Sequence, residues 1–253
     1  MKVPITGSSG RAITLIKAAI NGGRTKAEHS SVPVYPDELA SVVIECLEVG
    51  ADAVHLHVRS SSGDESLYAE DLARTLVAVR SASPDALIGV STGAWILPDR
   101  IERFQAVAAW EVLPDFASVN FSEEGAAELS RLLLSRGVDV EAGLSSSDGA
   151  DVLIKSGLAA RCIRVLLEPQ EQEMARVLET VNKIETILET GKVEVPRVLH
   201  GTEATSWQIM DEAITRGYGV RIGLEDTLSL PDGSIARGNV ELVAEAVRRA
   251  RAT

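Results

Sequence analysis

The chain has 253 residues, of which 45% are hydrophobic, and its formal net charge is -12. This acidic balance argues against a surface that binds nucleic acid or an anionic membrane, because both require basic patches. The length suits one large core, so we expect a single domain spanning 1–253, with a short N-terminal segment at 1–11. No apolar run approaches the roughly 18 residues of a membrane-spanning helix and no signal-peptide core is evident, so we expect a cytoplasmic protein.

Strand and helix patterns alternate along the whole chain. Short runs rich in branched and aliphatic residues predict strands at 12–20, 53–59, 86–93, 116–121, 138–142, 162–167, 196–201 and 219–224. Helical periodicity follows each of them, at 36–50, 68–82, 98–108, 123–135, 147–156, 170–190, 204–216 and 236–251. Eight strand-then-helix units in a chain of this length favour a closed (β/α)8 barrel, the TIM barrel of the α/β class, over an open doubly wound sheet.

The barrel prediction places catalytic groups at the C-terminal ends of the strands. Polar residues collect at these predicted ends, and each alone has an ordinary explanation, such as a helix cap or a satisfied buried imidazole. Their joint placement at one rim indicates an active site. They are Glu28, His29, His55, His57, Arg59, Ser91, Thr92, Asn120, Ser122, Glu141, Glu168, His200, Arg221, Glu225 and Asp226.

The second predicted strand, 53–59, carries two histidines and an arginine at alternating positions. Because strand side chains alternate between faces, His55, His57 and Arg59 share one face of this strand. Buried polar groups need partners, and a polar ledge satisfied by neighbouring backbone is one explanation. Two histidines at i and i+2 favour the other explanation, a metal site, since histidine is a common nitrogen ligand of zinc.

The eighth predicted strand leads directly into two adjacent acids, in the run RIGLEDT at 221–227. Glu225 would complete a His-His-Glu triad with an open position for water or substrate, as in catalytic zinc sites. Asp226, held ionised by Arg221, would serve as a general base. The alternative is that both acids only cap the following segment. A site of two histidines and one carboxylate also accepts divalent ions other than zinc.

Five short motifs together resemble the β-keto acid cleavage enzymes, the family that includes 3-keto-5-aminohexanoate cleavage enzyme. They are HLHVR at 55–59, STG at 91–93, SVNFS at 118–122, HG at 200–201 and RIGLED at 221–226. The resemblance implies a (β/α)8 barrel with one zinc ion per subunit, assembled as a homo-oligomer (dimer or tetramer). It also implies an acyltransferase that converts a β-keto acid and acetyl-CoA into acetoacetate and a new acyl-CoA.

The resemblance implies roles for individual residues as well. Asp226 would be the base, positioned by Arg221 and Glu28. Glu141 matches a position that recognises a substrate amine, which implies a cationic or hydroxylated tail. The predicted site comprises the metal ligands His55, His57 and Glu225, the catalytic residues Asp226, Arg221, Glu28 and Ser91, and the substrate-binding residues Glu141, Arg59, Thr92 and Asn120.

Two departures from the family pattern bear on these predictions. The family has a G-A-E type loop directly after strand one, whereas this loop reads NGGRTKAEH at 21–29 and its acid, Glu28, comes later. The loop after Arg59 lacks the acid often found there, so a shifted outer contact to the metal ligands is expected. Three functions stay open: the acetyl-CoA-dependent exchange, a zinc hydrolase or retro-aldolase that uses no CoA, and a non-catalytic metal-binding barrel.

Overall fold

Eight parallel strands form a closed barrel in the part of the chain that the structure describes. A computed structural model of the protein describes residues 14–252, so the predicted N-terminal segment at 1–11 lies outside the described residues. The strands follow chain order around the barrel, and β1 closes it by pairing with both β2 and β8. Their bounds are β1 Ile16–Ala19, β2 Ala53–Leu56, β3 Ile88–Ser91, β4 Phe116–Asn120, β5 Asp139–Leu144, β6 Arg164–Leu167, β7 Arg197–Leu199 and β8 Gly219–Ile222.

A helix with a buried apolar face follows each strand, which confirms the predicted (β/α)8 architecture. The bounds are α1 Pro36–Glu48, α2 Ala69–Ala82, α3 Arg100–Ala108, α4 Ala126–Ser135, α5 Ser147–Ser156, α6 Met174–Thr190, α7 Ser206–Thr215 and α8 Asn239–Ala252. Short 3-10 helices at Ala159–Arg161 and Glu203–Thr205 precede β6 and α7. Within residues 14–252, no helix combines the length and apolar composition that crossing a bilayer requires.

The second strand is shorter than predicted, and this difference shapes the site. Main-chain pairing between β1 and β2 ends with Ala19 opposite His55. Beyond that point the amide of Asn21 takes the place of a neighbouring strand. It donates to the His57 carbonyl (2.8 Å) and accepts from the His57 N–H (2.8 Å). His57 therefore lies in the loop after β2, with its backbone held by a buried side chain.

The barrel interior contains a buried ion cluster. Glu141 projects from the middle of β5 and accepts hydrogen bonds from Lys17 on β1 and Arg164 on β6. All three residues are buried, and the Arg164 guanidinium carbon lies 4.4 Å from the centroid of the Phe116 ring. Burial alone would raise the pKa of Glu141, but the two cations outweigh it and hold this pKa well below its ordinary value. Burial also lowers the pKa of Lys17 to about 8.

This placement differs from the prediction, which put Glu141 at a strand end in contact with the substrate. Strand β5 continues to Leu144, past the predicted end at 142, so Glu141 is the third of its six residues and lies inside the barrel. It is absent from the walls of the cavity at the strand ends. Its charge is already neutralised by Lys17 and Arg164, so a substrate amine has no free carboxylate to meet here.

Candidate active site

A cavity of about 410 Å³ lies at the C-terminal ends of the strands, where the barrel prediction places the active site. Side chains from seven of the strands, β2 to β8, or from the loops that follow them, converge on it. Its walls include seven residues to which the sequence analysis assigns a role, three more of the predicted strand-end residues, and several unpredicted ones. The first seven are His55, His57, Ser91, Asn120, Arg221, Glu225 and Asp226, the strand-end residues are Ser122, Glu168 and His200, and the unpredicted ones include Trp95 and Glu123.

Two histidines and a carboxylate, here called the ligand cluster (His55, His57 and Glu225), meet on one side of the cavity. His55 Nε2 lies 3.7 Å from Glu225 Oε2, and His57 Nε2 lies 3.4 Å from Glu225 Oε1. One ligand atom from each residue lies within 4.8 Å of the other two. Among the described residues, Oε2 of Glu225 is buried without a hydrogen-bond partner. This donor set fits a divalent ion such as zinc.

The side chain of Glu225 extends toward the two histidines through space that Gly22, which has no side chain, leaves free. Gly22 has a φ of +54°, and a Cβ at this position would lie 2.3 Å from Glu225 Cγ. Any other residue type would overlap the carboxylate arm and would also adopt a left-handed backbone conformation that L residues disfavour. One glycine of the polar loop after β1 therefore leaves the space that the Glu225 side chain occupies in the ligand cluster.

Arg221 ties the ligand-cluster carboxylate to the acid beside it. Its Nη2 donates to Glu225 and to Asp226 Oδ1 (2.8 Å), and its Nε donates to Asp226 Oδ1 (3.1 Å) and Oδ2 (3.2 Å). Burial alone would raise the pKa of Asp226, but Arg221 outweighs it and this pKa is lowered. The carboxylate is therefore ionised and oriented, as a general base must be.

The two histidines differ in their electrostatic surroundings. Burial lowers the pKa of His55 well below its ordinary value, so this imidazole is neutral. Burial acts on His57 too, but Glu225 and Glu65 outweigh it and raise the pKa of His57 to about 9. A metal ion at His57 would therefore have to displace a proton.

The sequence matches a known family along nearly all of its length. The family model of the beta-keto acid cleavage enzymes matches residues 14–194 and 172–253. The chain belongs to the beta-keto acid cleavage enzyme family. This match confirms the resemblance that the short motifs indicated.

Two relatives and one solved structure illustrate the match. The 3-keto-5-aminohexanoate cleavage enzyme of Fusobacterium nucleatum subsp. nucleatum is 28% identical over 254 residues, covering 94% of this chain and 91% of the relative. The 3-oxoadipate:acetyl-CoA acetyltransferase of Cupriavidus necator is 34% identical over 80 residues, 31% of this chain and 28% of the relative. A ternary complex of ObcA with C4-CoA adduct and oxalate aligns with a TM-score of 0.71 at 16% identity, over 88% of this chain. This chain spans 64% of the ObcA chain, and the likeness shows the fold alone.

Ser91 and Asn120 reach the cavity in this member of the beta-keto acid cleavage enzymes. Ser91 ends β3, and its Oγ accepts from the Gly93 N–H (3.3 Å). Asn120 ends β4, and its Nδ2 donates to Glu123 Oε1 (2.9 Å). Both side chains therefore present polar atoms to the cavity, Ser91 from β3 beside β2 and Asn120 from β4, the next strand along.

Thr92 and Arg59 lie beside the cavity but are not among the residues that line it, so their contact with substrate stays a prediction. Thr92 Oγ1 donates to the Ser118 carbonyl (2.8 Å) and so joins the ends of β3 and β4. Arg59 donates to the carbonyls of Gly22 and Arg24, the latter at 3.0 Å. Thr92 therefore holds the ends of two strands together, and Arg59 holds the loop after β1, next to the cavity.

Glu28 lies at the surface, which corrects its predicted contact with Asp226. Its side chain is 45% exposed and accepts from the N–H (2.8 Å) and hydroxyl (3.0 Å) of Thr25, with Arg24 Nη1 at 3.4 Å. The acid therefore closes a turn within its own loop. Besides Arg221, the side chain that lies against the Asp226 carboxylate is that of His200, with its Nδ1 3.4 Å from Oδ1.

Sequence reasoning missed two residues next to the ligand cluster, Glu65 and Trp95. Glu65 Oε1 accepts a hydrogen bond from His57 Nδ1 (2.5 Å), and Trp95 Nε1 donates to both carboxylate oxygens at 3.2 Å. The sequence did contain a signal for Glu65. The acid that often follows the arginine directly in this family is missing after Arg59, and Glu65 is an acid later on the same loop. Trp95 follows strand three in a loop, and the sequence pattern around it carries no comparable signal.

Proposed function

We propose that the chain is a zinc-dependent acyltransferase that condenses a β-keto acid with acetyl-CoA and releases acetoacetate and a new acyl-CoA. The observation that carries this proposal is the ligand cluster with an ionised Asp226 beside it, both held by Arg221. The names of two similar proteins support acetyl-CoA as the co-substrate. One is an acetyl-CoA acetyltransferase, and ObcA has been solved with a C4-CoA adduct.

In the proposed reaction, Asp226 removes a proton from the carbon between the ketone and the carboxylate of the keto acid. Zinc in the ligand cluster would supply positive charge near the oxygen on which negative charge develops. The carbanion attacks the thioester carbonyl, a carbon–carbon bond forms, and CoA thiolate leaves. The thiolate then adds to the original ketone, the bond between that carbon and the substrate's central carbon breaks, and Asp226 returns its proton to acetoacetate.

Arg221 and Ser91 assist this chemistry through contacts that are already formed. Arg221 keeps Asp226 ionised and fixes both of its oxygens, so the base needs no reorganisation before it accepts the proton. Ser91 Oγ accepts from a backbone N–H, which leaves its own hydrogen available to donate to a substrate oxygen. A hydroxyl that donates to the oxygen on which negative charge develops stabilises the transition state and so lowers the activation barrier.

We further infer that the tail of the keto acid carries a positive charge. The ligand cluster belongs to β2 and β8, whereas Glu123 and Glu168 follow β4 and β6 on the other side of the barrel. Glu123 accepts from neutral donors, Asn120 Nδ2 and the Ala94 N–H. Glu168 lies 3.7 Å from His200 Nε2, beyond hydrogen-bond distance. Among the described residues, neither of these partly buried carboxylates forms an ion pair with a lysine or arginine, and this favours a cationic ligand.

The barrel leaves space for Glu168 at the edge of the cavity. A Cβ at Gly143 would lie 2.4 Å from Glu168 Oε1, so the absence of a side chain at 143 lets the carboxylate rest against β5. Ser118 on β4, Ser122 after β4 and Ser145 after β5 also line the cavity. The cavity can therefore surround an ammonium group with oxygen acceptors.

The tail inference is tested with β-keto acids of equal length that end in ammonium, hydroxyl, methyl or carboxylate groups. We expect the ammonium compound to have the highest kcat/KM. Glu168→Gln should lower that value about 10- to 150-fold, since a hydrogen bond to a charged group is worth about 1.5–3 kcal/mol. Glu173→Gln, an exposed acid on the same loop, is the matched control. A preference for the methyl or carboxylate compound would contradict the inference and leave the reaction assignment intact.

The reaction is tested by measuring acetoacetate release from purified protein of known zinc content. His57→Ala should lose both zinc and activity. Asp226→Asn should retain zinc and lose activity by on the order of 10²- to 10⁴-fold, the usual contribution of a general base. Asp232→Asn changes an exposed acid on the following loop, bonded to Ser234, and should keep both properties.

Three results would change the proposal in different ways. Turnover that ignores acetyl-CoA would move the assignment to a hydrolase or retro-aldolase. Zinc binding without turnover across the substrate panel would favour the non-catalytic barrel. Activity that survives Asp226→Asn would remove this residue from the role of base.

Assembly and location stay predictions. The family resemblance implies a homo-oligomer, a dimer or tetramer, and the composition favours a cytoplasmic protein. Light scattering on the purified protein measures the first, and fractionation of the source cells measures the second.

A further inference from the structure

Glu65 lies on the loop between β2 and α2, and the path of that loop returns it to His57. The Ser60 N–H donates to the Asp64 carbonyl (2.8 Å), and Arg59 and Glu65 form an antiparallel bridge. The loop therefore doubles back as a tight hairpin. This places the Glu65 carboxylate beside an imidazole eight residues earlier in the chain.

Two side chains hold the Glu65 carboxylate in place. His57 donates to it through Nδ1, and the Trp95 indole N–H is shared between its two oxygens. The Trp95 ring also stacks on the His57 imidazole, with ring centroids 6.0 Å apart and planes inclined by 26°. The imidazole of His57 is therefore fixed both along its edge and across its face.

These contacts decide which nitrogen of His57 faces the ligand cluster. A carboxylate accepts but does not donate, so Nδ1 carries a hydrogen and Nε2 is left as the nitrogen that faces Glu225, at 3.4 Å from Oε1. His55 has no equivalent support, because its Nδ1 is buried without a hydrogen-bond partner among the described residues. The two histidines of the cluster are thus held unequally.

We propose that Glu65 is a positioning residue that sets the tautomer and ring orientation of His57 for metal binding, with Trp95 holding Glu65. This inference rests on the proposed function, because it takes His57 as a metal ligand. Glu65 lies outside the ligand cluster itself, and both of its oxygens already accept hydrogen bonds. Carboxylates that orient ligating histidines are typically worth 10- to 100-fold in metal affinity.

The test measures zinc affinity by competition with a chromophoric chelator, in parallel with kcat and KM. We expect Glu65→Ala to bind zinc about 10- to 100-fold more weakly and to lose kcat with little change in the KM for acetyl-CoA. Glu65→Gln should lose less, because its amide oxygen still accepts from Nδ1. Trp95→Phe keeps the stacked ring without the N–H and should also give a partial loss. Asp64→Asn is the matched control on the same hairpin, since Asp64 accepts from the Ser62 hydroxyl.

A second readout reports the imidazole directly. In 15N-labelled zinc-loaded protein, the Nδ1 hydrogen of His57 should give a downfield proton signal that Glu65→Ala abolishes and Asp64→Asn retains. If Glu65→Ala does not fold, equal zinc affinity in Glu65→Gln, Trp95→Phe and Asp64→Asn would overturn the proposal.

The outcomes separate this inference from the reaction assignment. Wild-type zinc affinity in Glu65→Ala, with the His57 signal unchanged, overturns the positioning role and leaves the metal site standing. Acetoacetate formation by wild-type protein that binds no zinc overturns the zinc dependence of the proposed function, and the role of Glu65 with it.

Discussion

The buried carboxylate of Glu141 allows a direct test of how the barrel interior is held together. Glu141→Gln preserves the size of the side chain and removes the charge that balances Lys17 and Arg164. Removing one partner of a buried ion pair costs about 3–5 kcal/mol, because the remaining charge has no counterion. One anion serves two cations here, so we expect a loss near the upper end of that range at pH 7.

The loss should become smaller at pH 9. Burial lowers the pKa of Lys17 from its unfolded value of 10.5 to about 8, so above pH 8 the native state has released this proton while the unfolded chain still carries it. Wild-type stability therefore gains from this group as the pH rises above 8. At pH 9 Lys17 is largely neutral in wild type too, and Glu141→Gln then deprives only Arg164 of its counterion.

Urea-induced unfolding at both pH values measures these effects, with the KM for the keto acid determined in parallel. The double variant Lys17→Met, Glu141→Gln should be more stable than Glu141→Gln alone, since one uncompensated charge is gone. Glu179→Gln, which breaks an exposed pair with Lys183, should match wild type. A loss below about 1 kcal/mol for Glu141→Gln, well under the cost of a broken buried pair, together with a tenfold rise in KM, would return Glu141 to the substrate site.

Three further predictions concern the ligand cluster and the core. Gly22→Ala should weaken zinc binding about tenfold or more, because the new methyl group overlaps Glu225, and an unchanged affinity in chelator competition would contradict this close approach. Trp110→Phe removes the N–H that donates to the buried Leu67 carbonyl (2.8 Å) and should lower the free energy of unfolding in urea by about 1–3 kcal/mol. Burial raises the pKa of Cys46 to about 12, so a thiol reagent should label it only after denaturation, and rapid labelling of the native protein would speak against that burial.

The architecture was predictable because alternation of two periodicities is a property of the whole chain. Errors in single elements do not change the count of eight units, and the closed barrel follows from that count. The ends of the strands were less predictable. The predicted strand 53–59 ends at Leu56 because Asn21, distant in sequence, bonds both backbone groups of His57. A local pattern contains no information about such a contact.

The structure brings predicted site residues together where a polar residue stands at the end of a strand. His55 and Glu225 come from neighbours of β1 and meet across it, as the barrel requires. Glu28 failed because a threonine three residues earlier offers its acid a nearer partner at the surface. Glu65 was missed because only the folded hairpin returns it to His57. The chemical roles of the residues that do meet stay predictions until the variants are measured.

Glu141 and Glu225 show why residue type alone does not identify a functional acid in this barrel. Both are glutamates, and both contact an arginine. Glu141 lies within a strand, where β1 and β6 supply a cation for each of its two oxygens, so its charge is already balanced inside the barrel. Glu225 follows the end of β8, and its Oε2 faces His55 without a hydrogen bond. The position of a glutamate along its strand therefore decides whether it can bind a ligand. Of these two, only Glu225, which lies beyond the strand end, keeps a carboxylate oxygen without a hydrogen bond.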